Sequence, residues 1–153
     1  MEREHARGRM RGAVTTAILF SLCAWLPQRA TAQDAKQDLG GTTWRLVSLT
    51  MSDQTVTPDD RMKYTLTFDK KGAVAIHADC NRGRARYTDP TGTLEINKIV
   101  LTKAKCAPGS IADQFARAIG FTQSYTIRDG NLLLGISPTG DTLRFEPSAT
   151  RGK

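Results

Sequence analysis

The chain is poor in the residues that carry most metal and nucleophilic chemistry. Its 153 residues include two histidines and three cysteines. That supply excludes a multi-cysteine zinc domain and a small scaffold held by several disulfides. No phosphate loop, no G-x-G-x-x-G turn and no G-x-S-x-G elbow occurs. No apolar run reaches the ~20 residues that a spanning helix requires. With 39% hydrophobic and 24% charged residues, the chain is neither a disordered tail nor a multi-span membrane protein. It is long enough for one domain and too short for two ordinary ones.

What is present begins with a leader. Met1 to Gly12 carries Arg3, Arg7, Arg9 and Arg11, Ala13 to Leu26 is uncharged and mostly apolar, and Ala30-Thr31-Ala32 follows Pro27. A basic segment, an apolar segment and a small-residue site in that order predict a secretory signal peptide over 1–32, cleaved before Gln33. The expected compartment is the periplasm. Cys23 follows Leu22 rather than a small residue, which argues against a lipoprotein signal. Residues 33–41 read as a flexible lead-in, 42–147 as the domain and 148–153 as a tail.

The leader carries five arginines against Glu2 and Glu4, a net of +3, so the formal +7 of the whole chain falls to +4 from Gln33 onward. A mild positive balance is no nucleic-acid footprint. Two cysteines remain, Cys80 and Cys106, and in an oxidising compartment an even pair is expected to form one disulfide. The closed loop of 27 residues contributes roughly 3.5 kcal/mol in the loop-entropy description. A metal site of His77, Asp79 and Cys80 is the weaker reading, because it would consume a cysteine with an obvious partner.

Hydrophobic alternation predicts an antiparallel barrel or sandwich of about eight short strands with one helix. Thr42–Thr50 reads as a strand and Met51–Lys63 as a loop. Tyr64, Leu66 and Phe68 share one face of a strand that turns at Lys70-Lys71-Gly72 into Ala73–Ala78, with Val74 and Ile76 inward. Asn81–Gly83 interrupts the pattern and Arg84–Tyr87 resumes it. Asp89-Pro90-Thr91-Gly92 reads as a turn, Thr93–Ile96 and Ile99–Thr102 as two strands. Ser110 is the expected N-cap of a helix ending near Gly120, with Asp113 in a capping-box position. Its apolar stripe is Ile111, Phe115, Ala118, Ile119 and Thr122. Ser124–Arg128 and Leu132–Ile136 flank Asp129-Gly130-Asn131, a strong hairpin signal. After the turn at Ser137–Asp141, Thr142–Phe145 is the last strand, with Leu143 and Phe145 inward.

A catalytic constellation is hard to assemble. His77 is the sole histidine after the leader and reads as an exposed or rim residue. The Asp59-Asp60 pair reads as a solvated turn, and nothing in the spacing of the other carboxylates places two of them in one cleft. The expectation is a protein that is not an enzyme and carries no cofactor and no metal. Arg82, Arg84 and Arg86 alternate, so an extended chain points all three to one face. They are either a solvated face or a contact for an anion or acidic partner. Trp44 reads as core.

These residues form a series: Leu39-Gly40-Gly41-Thr42-Thr43-Trp44-Arg45-Leu46, Leu66-Thr67-Phe68-Asp69, Asp79-Cys80-Asn81-Arg82, Tyr87, Gly92 and Leu94. It continues with Leu101-Thr102-Lys103-Ala104-Lys105-Cys106, a helix through Phe115, Tyr125-x-Ile127, Gly130-Asn131-Leu132-Leu133-Leu134 and Leu143-Arg144-Phe145. The series resembles the META/HslJ-like domain family over about residues 39–147. Trp44, Asn81, Arg82 and Thr102 stand at motif positions. The family usually has glycine where Asp79 stands, a glycine near Ala85 and Arg86, and a glutamate on the helix where Asp113 is nearest. The resemblance implies an α+β fold, a compact antiparallel sheet closed like a cracked barrel with one packed helix. It also implies a cell-envelope protein without established catalytic residues, associated with heat shock, novobiocin resistance or secretion. The expected role is an envelope stress or resistance accessory that binds an envelope protein or a surface anion. It would act as a monomer, with no nucleic acid and at most peripheral membrane contact. A carrier of a small apolar ligand in the barrel and a lysozyme-inhibitor-like binder are the alternatives.

Overall fold

The structure, a computed structural model, describes residues 38–90 and 93–148. The signal-peptide expectation, most of the lead-in, part of the Asp89–Gly92 turn and nearly all of the tail lie outside those residues.

Among the described residues, nine strands and one α-helix follow in order: β1 (Thr43–Met51), β2 (Gln54–Val56), β3 (Tyr64–Phe68), β4 (Ala73–Ala78), β5 (Asn81–Thr88), β6 (Glu95–Leu101), α1 (Ala112–Gly120), β7 (Thr122–Arg128), β8 (Asn131–Ile136) and β9 (Asp141–Pro147). They form one antiparallel sheet ordered β6-β5-β4-β3-β1-β9-β8-β7, with β2 paired to β1. The fold is α+β, a half-open barrel with one helix.

Three bulges curl the sheet, since each adds a residue to one strand and increases its local twist. In β1 the extra residue is Val47, between the pairs Leu46–Phe145 and Ser48–Arg144. It lets Leu46 and Leu49, three positions apart, both point inward. In β7 it is Gln123, and Thr122 and Tyr125 are both buried. The third lies between β5 and β6. The ends of the curled sheet meet where Thr93 bridges Ser124 and the Leu94 N–H donates to the Gln123 carbonyl at 3.0 Å.

The interior is built from the alternate residues of the strands. Leu66, Phe68, Val74, Leu132, Leu134, Leu143 and Phe145 have no exposed surface. Helix α1 sends Phe115 into that interior, edge-on to Tyr64 at 5.5 Å and tilted against Phe145 at 6.2 Å. Burying that ring contributes about 2–3 kcal/mol. Tyr64 also anchors the start of the helix, because its hydroxyl accepts from the Ile111 N–H at 3.1 Å. Leu39 is fully buried and the Gly41 N–H donates to the Phe68 carbonyl, so residues 39–41 are tied to the sheet.

Four local expectations are corrected. The span Met51–Lys63 is not only loop. Ser52 and Asp53, both at positive φ (48° and 65°), turn β1 into β2, where the Thr50 and Thr55 hydroxyls meet at 2.9 Å. Asp60 then caps a 3-10 turn at Arg61–Lys63. Asn81–Gly83 does not interrupt β5 but opens it. Thr93–Ile96 and Ile99–Thr102 are not two strands: β6 is continuous, its phase break absorbed by the bulge. Ser110 precedes the helix cap, which is Ile111 without a side-chain bond. The Ser110 amide donates to the Ala107 carbonyl instead of Asp113, while its hydroxyl accepts from the Ala112 N–H at 3.2 Å.

Candidate functional site

The turn from β4 to β5 gathers most of the motif residues. Asp79 occupies the left-handed region at φ 56°, the conformation for which a glycine is the usual choice. Aspartate tolerates it better than most residues, and here it gains contacts. Its N–H donates to the Lys63 carbonyl at 2.6 Å. Its carboxylate accepts from the Ser110 hydroxyl and lies 3.5 Å from the Lys63 ammonium, and these hold its pKa below the ordinary value, the Ser110 bond most strongly. Its carbonyl accepts from Arg82 Nη1 at 2.6 Å and from His77 Nε2 at 2.9 Å.

Cys80 is joined to Cys106, with their Cα atoms 5.5 Å apart, so it offers no thiolate to a metal. Beside the disulfide, the buried Asn81 amide staples the segment after β6. Its Oδ1 accepts from the Thr102 hydroxyl at 2.9 Å and the Ala104 N–H at 2.8 Å, and its Nδ2 donates to the Ala104 carbonyl at 3.1 Å. The fold thus brings together Cys80, Asn81, Arg82, Thr102 and Cys106. Trp44 stands apart on β1, three strands from β5, buried, with Nε1 donating to the Thr42 hydroxyl at 2.7 Å. His77 is half-buried on the outward face of β4. Burial lowers its pKa against the opposing pull of the Asp79 carbonyl.

Arg82, Arg84 and Arg86 all emerge exposed on the outer face of β5. Across the register they face His77, Ala75 and Ala73 on β4, and Arg84 and Arg86 face Val100 and Asn97 on β6. None of these partners is acidic. The three arginines are not equivalent. Arg82 folds back on the turn, bonded to the Asp79 and Asn81 carbonyls. Arg86 reaches the Lys71 carbonyl at 3.4 Å. Arg84 and Arg86 border a hollow of about 310 Å³, lined also by Ala73, Ala85, Lys98 and Val100.

Lys98 was not apparent among the site residues in the sequence. It is the bulge residue of β6 and sits at φ 52°. The available signal was the change of phase between Ile96 and Ile99, which marks an inserted residue in a strand. A second hollow of about 390 Å³ lies between the segment after β6 and the first turns of α1. A third, about 430 Å³, follows the crack between β6 and β7 beside the exposed Phe121. Among the described residues no helix is long and apolar enough to cross a membrane.

Comparison with known proteins agrees with this architecture. A protein from Burkholderia xenovorans, solved by NMR, superposes with a TM-score of 0.63 at 23% identity, over 72% of this chain and 84% of its own. A DUF4847 family protein from Bacteroides vulgatus, known from a crystal structure, gives a TM-score of 0.51 at 14% identity, over 71% of this chain and 93% of its own. At these identities the likeness is one of fold. No functionally curated protein matches the chain. The META domain matches residues 37–150, which takes in every strand, the helix, the disulfide and the Asn81 staple, and the chain belongs to the META domain family.

Proposed function

We propose that this protein is an exported, non-enzymatic accessory of the cell envelope that works by holding a partner on the outer face of β5, and that it serves the stress or antibiotic-resistance response. The observation that carries the reading is the row of positive charge on that face, which has no acidic partner across the strand register. Arg82, Arg84 and Arg86 stand exposed in a row with no carboxylate opposite any of them in the register. Opposite charges across a strand pair are the ordinary way to settle such a row, and here the cross-strand positions are alanine, histidine, valine and asparagine. An anionic partner supplies the missing charge.

Export is supported by the leader pattern of residues 1–32 and by the Cys80–Cys106 disulfide, a bond that persists in oxidising compartments. Surface binding is favoured over carriage of an apolar ligand by the occupied interior, where Phe68, Phe115, Phe145, Ile119 and eight leucines are each less than 2% exposed.

The test is genetic and biochemical together. A strain lacking the protein is complemented with the wild type or with Arg82→Gln/Arg84→Gln/Arg86→Gln, then challenged with heat and with novobiocin. The wild type should restore growth, the triple variant should not, and both should accumulate in the periplasm with an intact mass beginning at Gln33. Full rescue by the triple variant would sink the surface-binding reading. Retention of Met1 in a cytoplasmic product would sink the export reading.

A further inference from the structure

We infer that the hollow between β5 and β6 is a phosphate-binding site with Arg84, Arg86 and Lys98 as its three cationic ligands. This rests on the reading of the β5 face as a binding surface and names the chemistry it takes.

The first support is the backbone of Lys98. Between the pairs Arg84–Val100 and Arg86–Asn97, β5 has one residue and β6 has two, Lys98 and Ile99. Lys98 takes the left-handed conformation, φ 52°. Bulges with a left-handed residue of this kind are normally built with glycine, because a Cβ makes that region unfavourable. A lysine there keeps the strain that a glycine would relieve. In return an exposed lysine joins the two arginines in lining one hollow. Strain held at an exposed position with a matching charge cluster is the pattern found at binding sites.

The second support is what surrounds the cluster. Ala73 and Ala75, opposite Arg86 and Arg84, are too short to cover the guanidinium groups. Alternate residues of one strand stand about 6.5–7 Å apart. Long side chains from positions so spaced carry two planar donor forks and one ammonium within reach of one tetrahedral anion with several acceptor oxygens, such as a phosphate group. Two carboxylates lie in the neighbourhood. Asp69 interacts with Arg86 and Lys71, and its Oδ1 is committed to the Lys71 and Ala73 N–H groups at 2.7 Å each. Glu95 lies further along β6, opposite Thr88. Arg84, Arg86, Lys98 and Lys71 outnumber them.

The same phosphate chemistry is offered by a lipid headgroup and by a small soluble phosphate, and two probes separate them. The purified protein is titrated with inorganic pyrophosphate at constant ionic strength and followed by amide shifts in NMR spectra. It is also co-sedimented with phosphatidylglycerol vesicles and with phosphatidylcholine vesicles. Pyrophosphate should move amides at 84–86 and 97–100. Arg84→Gln and Lys98→Gly should each weaken binding about tenfold or more, the scale of one charged hydrogen bond. Lys98→Gly should at the same time raise the melting temperature, since glycine relieves the left-handed strain; loss of binding in a more stable protein cannot be ascribed to misfolding. Vesicle binding restricted to phosphatidylglycerol identifies a lipid headgroup, and pyrophosphate binding without vesicle binding identifies a soluble phosphate. The site is overturned if neither probe binds the wild type above a chloride control, or if Lys98→Gly binds as the wild type does. Binding lost through Arg82→Gln alone would also overturn this site while leaving the β5 face as the binding surface.

Discussion

The Thr102 hydroxyl donates to Asn81 Oδ1 at 2.9 Å and accepts from the Arg82 N–H at 3.0 Å, joining the start of β5 to the end of β6 across 21 residues. The Asn81 amide also fixes both the N–H and the carbonyl of Ala104. Asn81→Ala removes three such bonds at once. At about 1 kcal/mol each, the loss of stability should be about 2–3 kcal/mol in urea unfolding. Thr102→Val removes two bonds and should cost about 1–2 kcal/mol. The double variant should lose less than the sum, because the two share one bond. Strict additivity would show that the two side chains act independently.

The disulfide acts on the same segment by a different route, mainly by restricting the unfolded chain. Denatured, unreduced protein should show no free thiol on Ellman titration. Replacing Cys80 and Cys106 by serine should cost about 3 kcal/mol and increase the dependence of unfolding free energy on urea, since the uncrosslinked unfolded chain exposes more surface. An unchanged midpoint would leave the crosslink without a part in stability.

The legible part of this fold is the part governed by simple alternation. The inward faces of β3, β4, β8 and β9 follow period two, and the stripe of α1 follows helical spacing, so Phe68, Ile76, Phe115 and Phe145 were readable as core. The disulfide was readable because two cysteines have only one pairing. What the sequence concealed is where one residue is inserted. The break between Ile96 and Ile99 looks like a strand end, and only pairing with Arg84 and Arg86 shows it to be a bulge within one strand. Gly83 looks like a breaker and is a point of close contact. The charge row was visible, but not that the turn carbonyls take up Arg82, nor that Lys98 joins the other two. These are facts of tertiary register, and one strand's sequence does not contain its partner's offset.

Gly83 tests that contact. A Cβ built at this position would collide with the Val100 carbonyl oxygen and come within 2.9 Å of Leu101 Cα. Both obstacles involve the backbone of β6, so relief requires the strands to part. Gly83→Ala should therefore destabilise by about 2–3 kcal/mol, the usual cost of overpacking. Loss of hydrogen-exchange protection should concentrate at residues 97–101. Destabilisation below about 0.5 kcal/mol, the scale of an ordinary surface change, would show that β5 and β6 pair more loosely.

Asp79 allows a prediction with a definite pH dependence. Its folded pKa is depressed, first by the Ser110 hydroxyl and then, against the opposing effect of burial, by the Lys63 ammonium. A depressed carboxylate stabilises the fold fully above its unfolded value, near ~3.9, and this contribution is lost as pH falls through the folded value. Asp79→Gly gives up the carboxylate contacts and relieves the left-handed backbone at φ 56°, effects of about 1 kcal/mol each and opposite in sign. At pH 7 the variant should lie within about 1 kcal/mol of the wild type. Between pH 5 and pH 3 the wild type should lose stability faster, so the difference moves in favour of glycine. Asp79→Asn keeps a side chain that tolerates positive φ but has no charge, and should share the flatter pH profile without the backbone gain. Asp69, also depressed, through the Ala73 and Lys71 N–H groups, is untouched in all three proteins and supplies the common remainder of the acid sensitivity. Urea midpoints measured from pH 3 to pH 7 decide the matter, and parallel curves for the wild type and Asp79→Gly would remove the carboxylate from any part in stability.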